Sequence, residues 1–515
     1  MRNLEPVFGT GPGGGRAAIV VDEGAMTVEV EAGMPQRTLL DYLADYRSPS
    51  LSDGLTIPAF SWFIDQTMGG AIATATHGSS LRYGSLSDQV VAMEVVLANG
   101  TRAELTRESD PHLFRAFQTS VGNLGIVTRL TMLVEPQTAV RRELKDVDVE
   151  SFVREIERLQ ARYKAAVAAK SSSAVVAALE AIDEVQALWF VPTKSVWRVS
   201  FTRIDREPPA ALLNSVPGMP GVYNAPLAWQ DAAANYGAGG VNVPNVTAMA
   251  GDDRLPMFGP QERGHDRVSK NLLYLGDNVL LSNLVASGLR PLVYSGTFER
   301  RKSYLTMSEI ATRAHSTAAV YDQYEVFIPL DVAGDCLRGL TRQLYGSAQL
   351  SRGFTTPMLV RFNAGSDVYL SPTNGGPRMS INLEDYRTHQ GAGDNAAFKA
   401  AVRYMVDKCQ ARLHWGKAGW EHGVLEDNCF DGAAEYGADW CAFGCAALDL
   451  DPARKFAGDS GIWSWRARER GGGEARDLGD LAQCCTADGF DAQRCTCAAS
   501  RGCAAISFPE DAEGY

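Results

Sequence analysis

Ile64-Asp65-Gln66-Thr67-Met68-Gly69-Gly70-Ala71-Ile72-Ala73-Thr74-Ala75-Thr76-His77-Gly78-Ser79-Ser80 is built mostly from Gly, Ala, Thr and Ser. Such a run buries little side-chain volume. It lets the backbone approach a ligand closely and presents N–H and hydroxyl donors, which suits a phosphate or a flat heterocycle. The competing use is a tightly packed turn between strands. Outward from it, Met26 to Glu31 alternates apolar and polar residues as a half-buried strand does, and Leu39, Leu40 and Leu43 share one helical face between Pro35 and Tyr46. On the other side, Val90–Leu97 and Thr101–Leu105 flank Asn99-Gly100, a hairpin signal. A helix over Pro111–Gln118 and a strand over Ile126–Val134 complete an α+β unit.

The 515 residues are 45% apolar and 21% charged, a globular composition of about two to four domains at roughly 150 residues each. Lys and Arg number 49 against 61 Asp and Glu, net −12, which argues against a nucleic-acid partner. No apolar run reaches the roughly 18 residues of a transmembrane helix, and Met1 to Glu5 lacks the apolar core of a signal peptide. Residues 9–15 formally match G-x-G-x-x-G, but the exit through Ala17 to Val21 is strand-like instead of helical, so 1–16 reads as a linker.

Thr67 to Ser80 followed by Tyr83-Gly84-Ser85-Leu86-Ser87-Asp88-Gln89-Val90 resembles the flavin-binding domain of the vanillyl-alcohol-oxidase superfamily, and within it the sugar-1,4-lactone oxidases. Val28 to Gly33, Asp110-Pro111-His112-Leu113-Phe114 and Gly122 to Thr128 agree. The resemblance implies a two-domain α+β flavoprotein, with an FAD-binding domain over 17–137, a sheet-based substrate or cap domain over 138–465, and an extension over 466–515. It implies FAD neighbours at Thr67, Gly70, Thr74, Thr76, His77, Gly78, Ser79, Gly125 and Ile126, with no proton-transfer role for His77. Relatives carry an earlier Gly-x-Gly-His-Ser-like loop whose His is in many of them the covalent flavin attachment. This chain begins after it, so the N-terminal FAD subdomain is expected to be missing and FAD to be held non-covalently.

The second half shows a long amphipathic helix over Val149–Lys170, a Pro-, Gly- and Asn-rich stretch over 205–270 with the glycosylation sequon Asn245-Val246-Thr247, strands over Tyr321–Pro329 and Pro357–Tyr369, and a helix over Phe398–Leu413. His414-Trp415-Gly416-Lys417 resembles a signature of the lactone oxidases in which the Lys lies at the flavin. That resemblance gives Lys417 the task of stabilising the reduced flavin and His414 that of shaping the site. In Met358-Leu359-Val360-Arg361-Phe362 the family's Glu-x-Arg keeps its Arg as Arg361, the residue implied to hold substrate, while Leu359 replaces the Glu. Asn382 takes a position that is His in some relatives; it can hydrogen-bond a sugar hydroxyl but cannot act as a base. Tyr324 to Pro329 is read as architecture.

Of ten cysteines only Cys336 precedes residue 400. Leu448 to Phe456 resembles the Leu-Asp-Pro segment near the end of the lactone oxidases, so the enzyme fold is expected to close near residue 465. The ending from Cys484-Cys485 to Cys503 resembles the extension of plant gulonolactone-oxidase-like proteins. Disulfides are favoured there over a zinc knuckle, because Cys495-x-Cys497 is too tight for the usual metal-binding pair. Cys409, Cys429, Cys441 and Cys445 read as a separate group inside the enzyme. Dense disulfides suit the secretory pathway or the extracellular space.

The function so implied is FAD-dependent oxidation of a sugar 1,4-lactone with O2 as acceptor, with no nucleic-acid partner; peripheral membrane association stays open. The alternatives are a dehydrogenase with a cytochrome acceptor and a non-catalytic secreted binding protein.

Overall fold

The computed structural model describes residues 17–61, 64, 66–180, 182–204, 296–298, 300, 322–352, 354, 357–385, 396–418, 430–456, 462–470 and 481–498. The expected linker over 1–16, the whole of 205–270 with its sequon, Cys429 and Cys503 lie outside the described residues.

The strands up to the middle of the chain are β1 Ile19–Asp22, β2 Thr27–Glu31, β3 Leu55–Thr56, β4 Val90–Val96, β5 Arg102–Thr106, β6 Ile126–Leu133, β7 Glu135–Pro136, β8 Ala139–Asp148, β9 Val185–Phe190 and β10 Ser195–Ile204. They are followed by β11 Gly296–Phe298, β12 Asp322–Pro329, β13 Met358–Asn363, β14 Arg378–Asp385 and β15 Arg412–Leu413. Two large antiparallel sheets result, one of order β1-β2-β6-β4-β5 and one of order β11-β8-β10-β9-β13-β14-β12-β15, and β3 pairs with β7 in a two-stranded ladder.

Helices α1 (Gln36–Asp45), α2 (Met68–Ala73) and α3 (Pro111–Gln118) accompany the first sheet. Leu39, Leu40 and Leu43 are buried as their spacing predicts. Asp110 caps α3 by accepting from Leu113 N at 2.9 Å, with Pro111 just inside. The small-residue run is partly helical, because Met68, Ala71 and Ile72 place an apolar side on the first core.

The second sheet carries α4 (Val149–Ala168), α5 (Ala333–Gly346) and α6 (Ala396–Cys409). Tyr324, Val326, Ile328, Val360, Phe362, Ile381 and Leu383 pack with these helices in one core. Alternation then turns Gln323, Glu325, Phe327, Leu359, Arg361, Ser380 and Asn382 to the opposite face. That face meets the small-residue loop: Ala364 N donates to Ser80 O at 2.9 Å, and Phe362 N to Ser79 Oγ at 3.1 Å.

Three expectations are corrected. The strand expected over 357–369 stops at Asn363, where Gly365 and the turns through Pro372 and Gly375-Gly376 take over. The helix expected to run to Leu413 ends at Cys409, tied to Cys336 by a disulfide; Gln410 adopts φ +53°, and Arg412–Leu413 turns back to pair with β12. The cysteines do not divide into two separate groups: Cys441 bonds Cys497 and Cys445 bonds Cys485, while Cys484 bonds Cys495. The disulfide reading of the tail is the one observed. Among the described residues no helix is long and apolar enough to cross a membrane.

Candidate functional site

The two units meet at a buried polar cluster on the inner face of the second sheet. Arg361 on β13 forms an ion pair with Glu325 on β12 and donates from Nη1 to the His77 carbonyl at 3.2 Å. His77 Nε2 stands 3.0 Å from Glu325 Oε1, and the His77 and His414 rings lie 5.7 Å apart. Phe327 packs its ring edge on His77 at 4.9 Å. The site therefore joins a loop of the first unit to three strands of the second.

Local chemistry explains each placement. Gly78 is required because a Cβ there would lie 2.3 Å from Phe60 O, so the backbone passes where no side chain fits. Trp415 donates to Leu370 O at 2.6 Å and stacks on Trp463 at 5.3 Å, anchoring the His414–Lys417 run in the first core. His414 N donates to Glu325 O at 3.0 Å, and Lys417 reaches Gln323 Oε1 with its ammonium.

Burial first, with the Arg361 charge next, pushes His77 below its ordinary value; burial also pushes His414 well below. Both rings are therefore neutral near neutral pH. Gly416 N donates to His414 Nδ1 at 2.9 Å, which leaves that ring's proton on Nε2. Burial alone would raise the Glu325 carboxyl, but Arg361 and His77 together hold it well below the usual carboxylate range.

This has a pH consequence. Because both imidazoles resist protonation when folded, the unfolded chain takes up protons first as pH falls. Stability is expected to decline once pH drops below 6.5, and further below 4.5, where the unfolded chain's Glu325 takes up a proton that the folded carboxyl still resists. Urea midpoints measured from neutral pH downward check this; a midpoint that rises on acidification contradicts it.

Of the residues singled out from the sequence, Arg361, His77 and His414 come together, and Asn382 lies directly opposite Glu325 on β14. Thr74 is close, since a Cβ on Gly416 would meet its Oγ1 at 3.3 Å. Thr74 Oγ1 itself donates to Gly70 O at 3.2 Å, and Thr76 is buried beside it. Ser79 spends its hydroxyl on the backbones of β9 and β13. Thr67 precedes α2 and bridges Pro35. The turn before Gly125 and Ile126 touches the end of α2 through Val121 N on Ala73 O at 2.9 Å, and Ile126 is exposed. Glu325, read as architecture, is the residue the sequence reasoning missed. One acid inside the apolar strand Tyr324–Ile328 was the available signal.

Residues 16–106 match the family described as FAD binding domain, and residues 273–464 match D-arabinono-1,4-lactone oxidase. The chain is similar to the mitochondrial L-galactono-1,4-lactone dehydrogenase of Arabidopsis thaliana, 33% identical over 27% of this chain and 21% of that one. It is similar to a putative D-arabinono-1,4-lactone oxidase of Neurospora crassa, 36% identical over 23% and 20%. These two alignments span about a fifth of the relatives' length. The L-gulono-1,4-lactone dehydrogenase of Mycobacterium tuberculosis is 24% identical over 85% of this chain and 81% of that one. In fold, a solvent-stable cholesterol oxidase superposes with a TM-score of 0.55 at 16% identity, over 85% of this chain and 82% of its own. The chain thus carries a match to an FAD-binding domain followed by a match to D-arabinono-1,4-lactone oxidase, and its relatives are sugar-lactone oxidases and dehydrogenases.

Proposed function

We propose that the protein is an FAD-dependent oxidoreductase that oxidises the hydroxyl-bearing carbon beside the ring carbonyl of a gulono-, galactono- or arabinono-1,4-lactone. The product is an ascorbate-type enediol, and O2 is the acceptor, leaving as H2O2. The observation that carries this reading is the buried Arg361–Glu325–His77 contact between the two units, beside two polar atoms without hydrogen-bond partners, Arg361 Nε and Asn382 Oδ1. A buried donor and acceptor left unpaired in the protein alone are what a polyhydroxylated ligand satisfies.

The residues present fit FAD. The loop contributes the hydroxyls of Thr74 and Thr76 and the close-packed Gly78 backbone, and the second unit contributes the cations of Arg361 and Lys417. Thr67, Gly70, Thr74, Thr76, His77, Gly78, Ser79, Gly125 and Ile126 would hold the cofactor non-covalently, within a division into 17–137 for FAD, 138–465 for substrate and 466–515 as extension. FAD supplies the hydride acceptor, a chemistry that no side chain here provides.

The chain supplies positioning and charge. Arg361 offers Nε–H to a carbonyl or hydroxyl oxygen of the lactone, and Asn382 Oδ1 accepts from a sugar hydroxyl. His414, whose Nδ1 accepts from Gly416 N, carries its proton on Nε2 and shapes the site without acting as a base. Lys417 places a cation where negative charge develops on oxidation of the substrate.

Protein purified with added FAD is expected to show a visible flavin band, to release its flavin on acid precipitation, and to form peroxide with one of the lactones. A colourless protein sinks the enzyme reading. Flavin that lactone reduces without peroxide appearing moves the reading to a dehydrogenase with a cytochrome acceptor. Lys417→Ala is expected to lower kcat about 100-fold with flavin content retained; wild-type turnover in that variant removes the role given to Lys417.

A further inference from the structure

We infer that Glu325 is the carboxylate of this site, a positioning residue that holds Arg361 toward the ligand and fixes His77 as the neutral Nε2–H tautomer. The inference rests on the oxidoreductase reading above for what Arg361 is held to do.

Register carries the argument. Leu359 on β13, Asn382 on β14 and Glu325 on β12 lie directly opposite one another, so one row crosses three strands on one face. The next row holds Arg361, Ser380 and Phe327. Leu359 leaves Arg361 with no carboxylate on its own strand, and the guanidinium reaches across β14 to Glu325. The pair is almost wholly buried, at 6% and 1% side-chain exposure. Truncating either partner there strands a charge, which makes the geometry costly to change.

His77 shares the same oxygen. Its Nε2 faces Glu325 Oε1 at 3.0 Å and its Nδ1 faces Gly78 O at 2.9 Å, so both ring nitrogens face acceptors. A neutral ring can satisfy one of them. The hydrogen bond to an ionised carboxylate is the stronger, so the proton sits on Nε2. With Nη2 on Glu325 and Nη1 on the His77 carbonyl, the guanidinium is fixed at both ends while its Nε remains unpaired.

His77, Glu325 and His414 also bring three ligand-type atoms within 4.8 Å of one another. Arg361 already neutralises the carboxylate, and a divalent cation would stand against that guanidinium. The trio is therefore an ion-pair cluster in this reading, and metal binding is an outcome the experiment can return.

Histidine labelled with nitrogen-15 in the FAD-loaded full chain reads the tautomer directly, His77 being assigned with a His77→Gln variant among seven histidines. The expected result is Nε2–H at neutral pH in the wild type and a shift toward Nδ1–H in Glu325→Gln. In steady-state kinetics Glu325→Gln is expected to raise the lactone KM about 100-fold, and Glu325→Gln with Leu359→Glu, which returns a carboxylate to the same row, to recover most of that loss. A wild-type His77 protonated on Nδ1, or on both nitrogens, overturns the inference. So does an unchanged KM in Glu325→Gln, or zinc bound stoichiometrically with both His77 and His414 signals displaced. If Glu325→Gln does not fold, the wild-type tautomer and the zinc titration still decide. If the wild type oxidises no lactone, the oxidase reading falls while the tautomer measurement continues to judge Glu325.

Discussion

Arg361→Ala is expected to lower the stability of the protein by about 3–5 kcal/mol and to reduce kcat/KM for the lactone at least 100-fold. The first number comes from what is left behind. Glu325 is 1% exposed and ionised, and without the guanidinium it keeps only a neutral imidazole as partner. Its carboxyl must then rise toward protonation or draw water into the interface. The second number comes from losing the unpaired Nε donor proposed to hold the lactone. The two effects separate by design. Arg361→Met with Glu325→Leu removes both charges in roughly constant volume and should recover most of the stability, since replacing a buried ion pair by apolar side chains is often neutral or stabilising. Activity should stay lost. Arg361→Lys keeps a cation but has no second arm for the His77 carbonyl, so it should fold well and bind substrate poorly. Urea unfolding and steady-state kinetics on the three variants check the scheme. An Arg361→Ala protein with the wild-type urea midpoint would show that the pair is not the buried contact described here.

Much of the first sheet was readable because its signals are local. Asn99-Gly100 between alternating runs sets the β4–β5 hairpin, and Asp110-Pro111 sets the start of α3, each within four residues. The lone acid of β12 was not readable in the same way. Glu325 looks like an edge-strand charge until the register places it opposite Asn382 and beneath the His77 loop, some 250 residues earlier in sequence. Leu359 is hard to read for the same reason: it marks a missing carboxylate at one position of β13, although another stands two strands away in the same row. Side-chain rows across a sheet depend on strand order, and β9-β13-β14-β12 is not sequential, so no window of sequence contains the row. The cysteine pairing was hidden too, because connectivity cannot be deduced from spacing. Only the physical preference for disulfides over metal could be argued in advance.

Breaking the Cys441–Cys497 bond as a paired Cys441→Ser, Cys497→Ser variant is expected to cost about 4 kcal/mol at most, the loop-closure value for a sequence separation of 56 residues. The bond joins α7 (Ala438–Leu450), whose Trp440, Phe443 and Ala446 lie in the first core, to the hairpin-rich end of the chain. That end has little of its own to bury. Its cluster is Cys441, Cys445, Ala467, Leu481, Cys484 and Cys495, so most of its apolar contacts are the crosslinked cysteines themselves. Gly489 then lies against α3: it turns at φ +105°, and a Cβ there would stand 2.7 Å from His112 Nδ1. The tail is thus a clasp on the first unit, fastened at Cys497 and at Cys485. Because Cys445–Cys485 closes a loop nested inside the first, the two losses should be less than additive: with one bond in place the segment is already confined. The expected sequence on adding reductant to the wild type is therefore early tryptic cleavage around Arg494, with the sheets resisting until later. If tail and sheets are instead cut together in reductant, or if the paired Ser variant keeps the wild-type unfolding midpoint, the clasp is held by packing and the disulfides contribute little. The Cys336–Cys409 bond serves as the internal control. It ties α5 to α6 inside the second core, among Leu337, Leu340, Val402 and Met405, so removing it should destabilise the second unit while leaving cleavage at Arg494 unchanged.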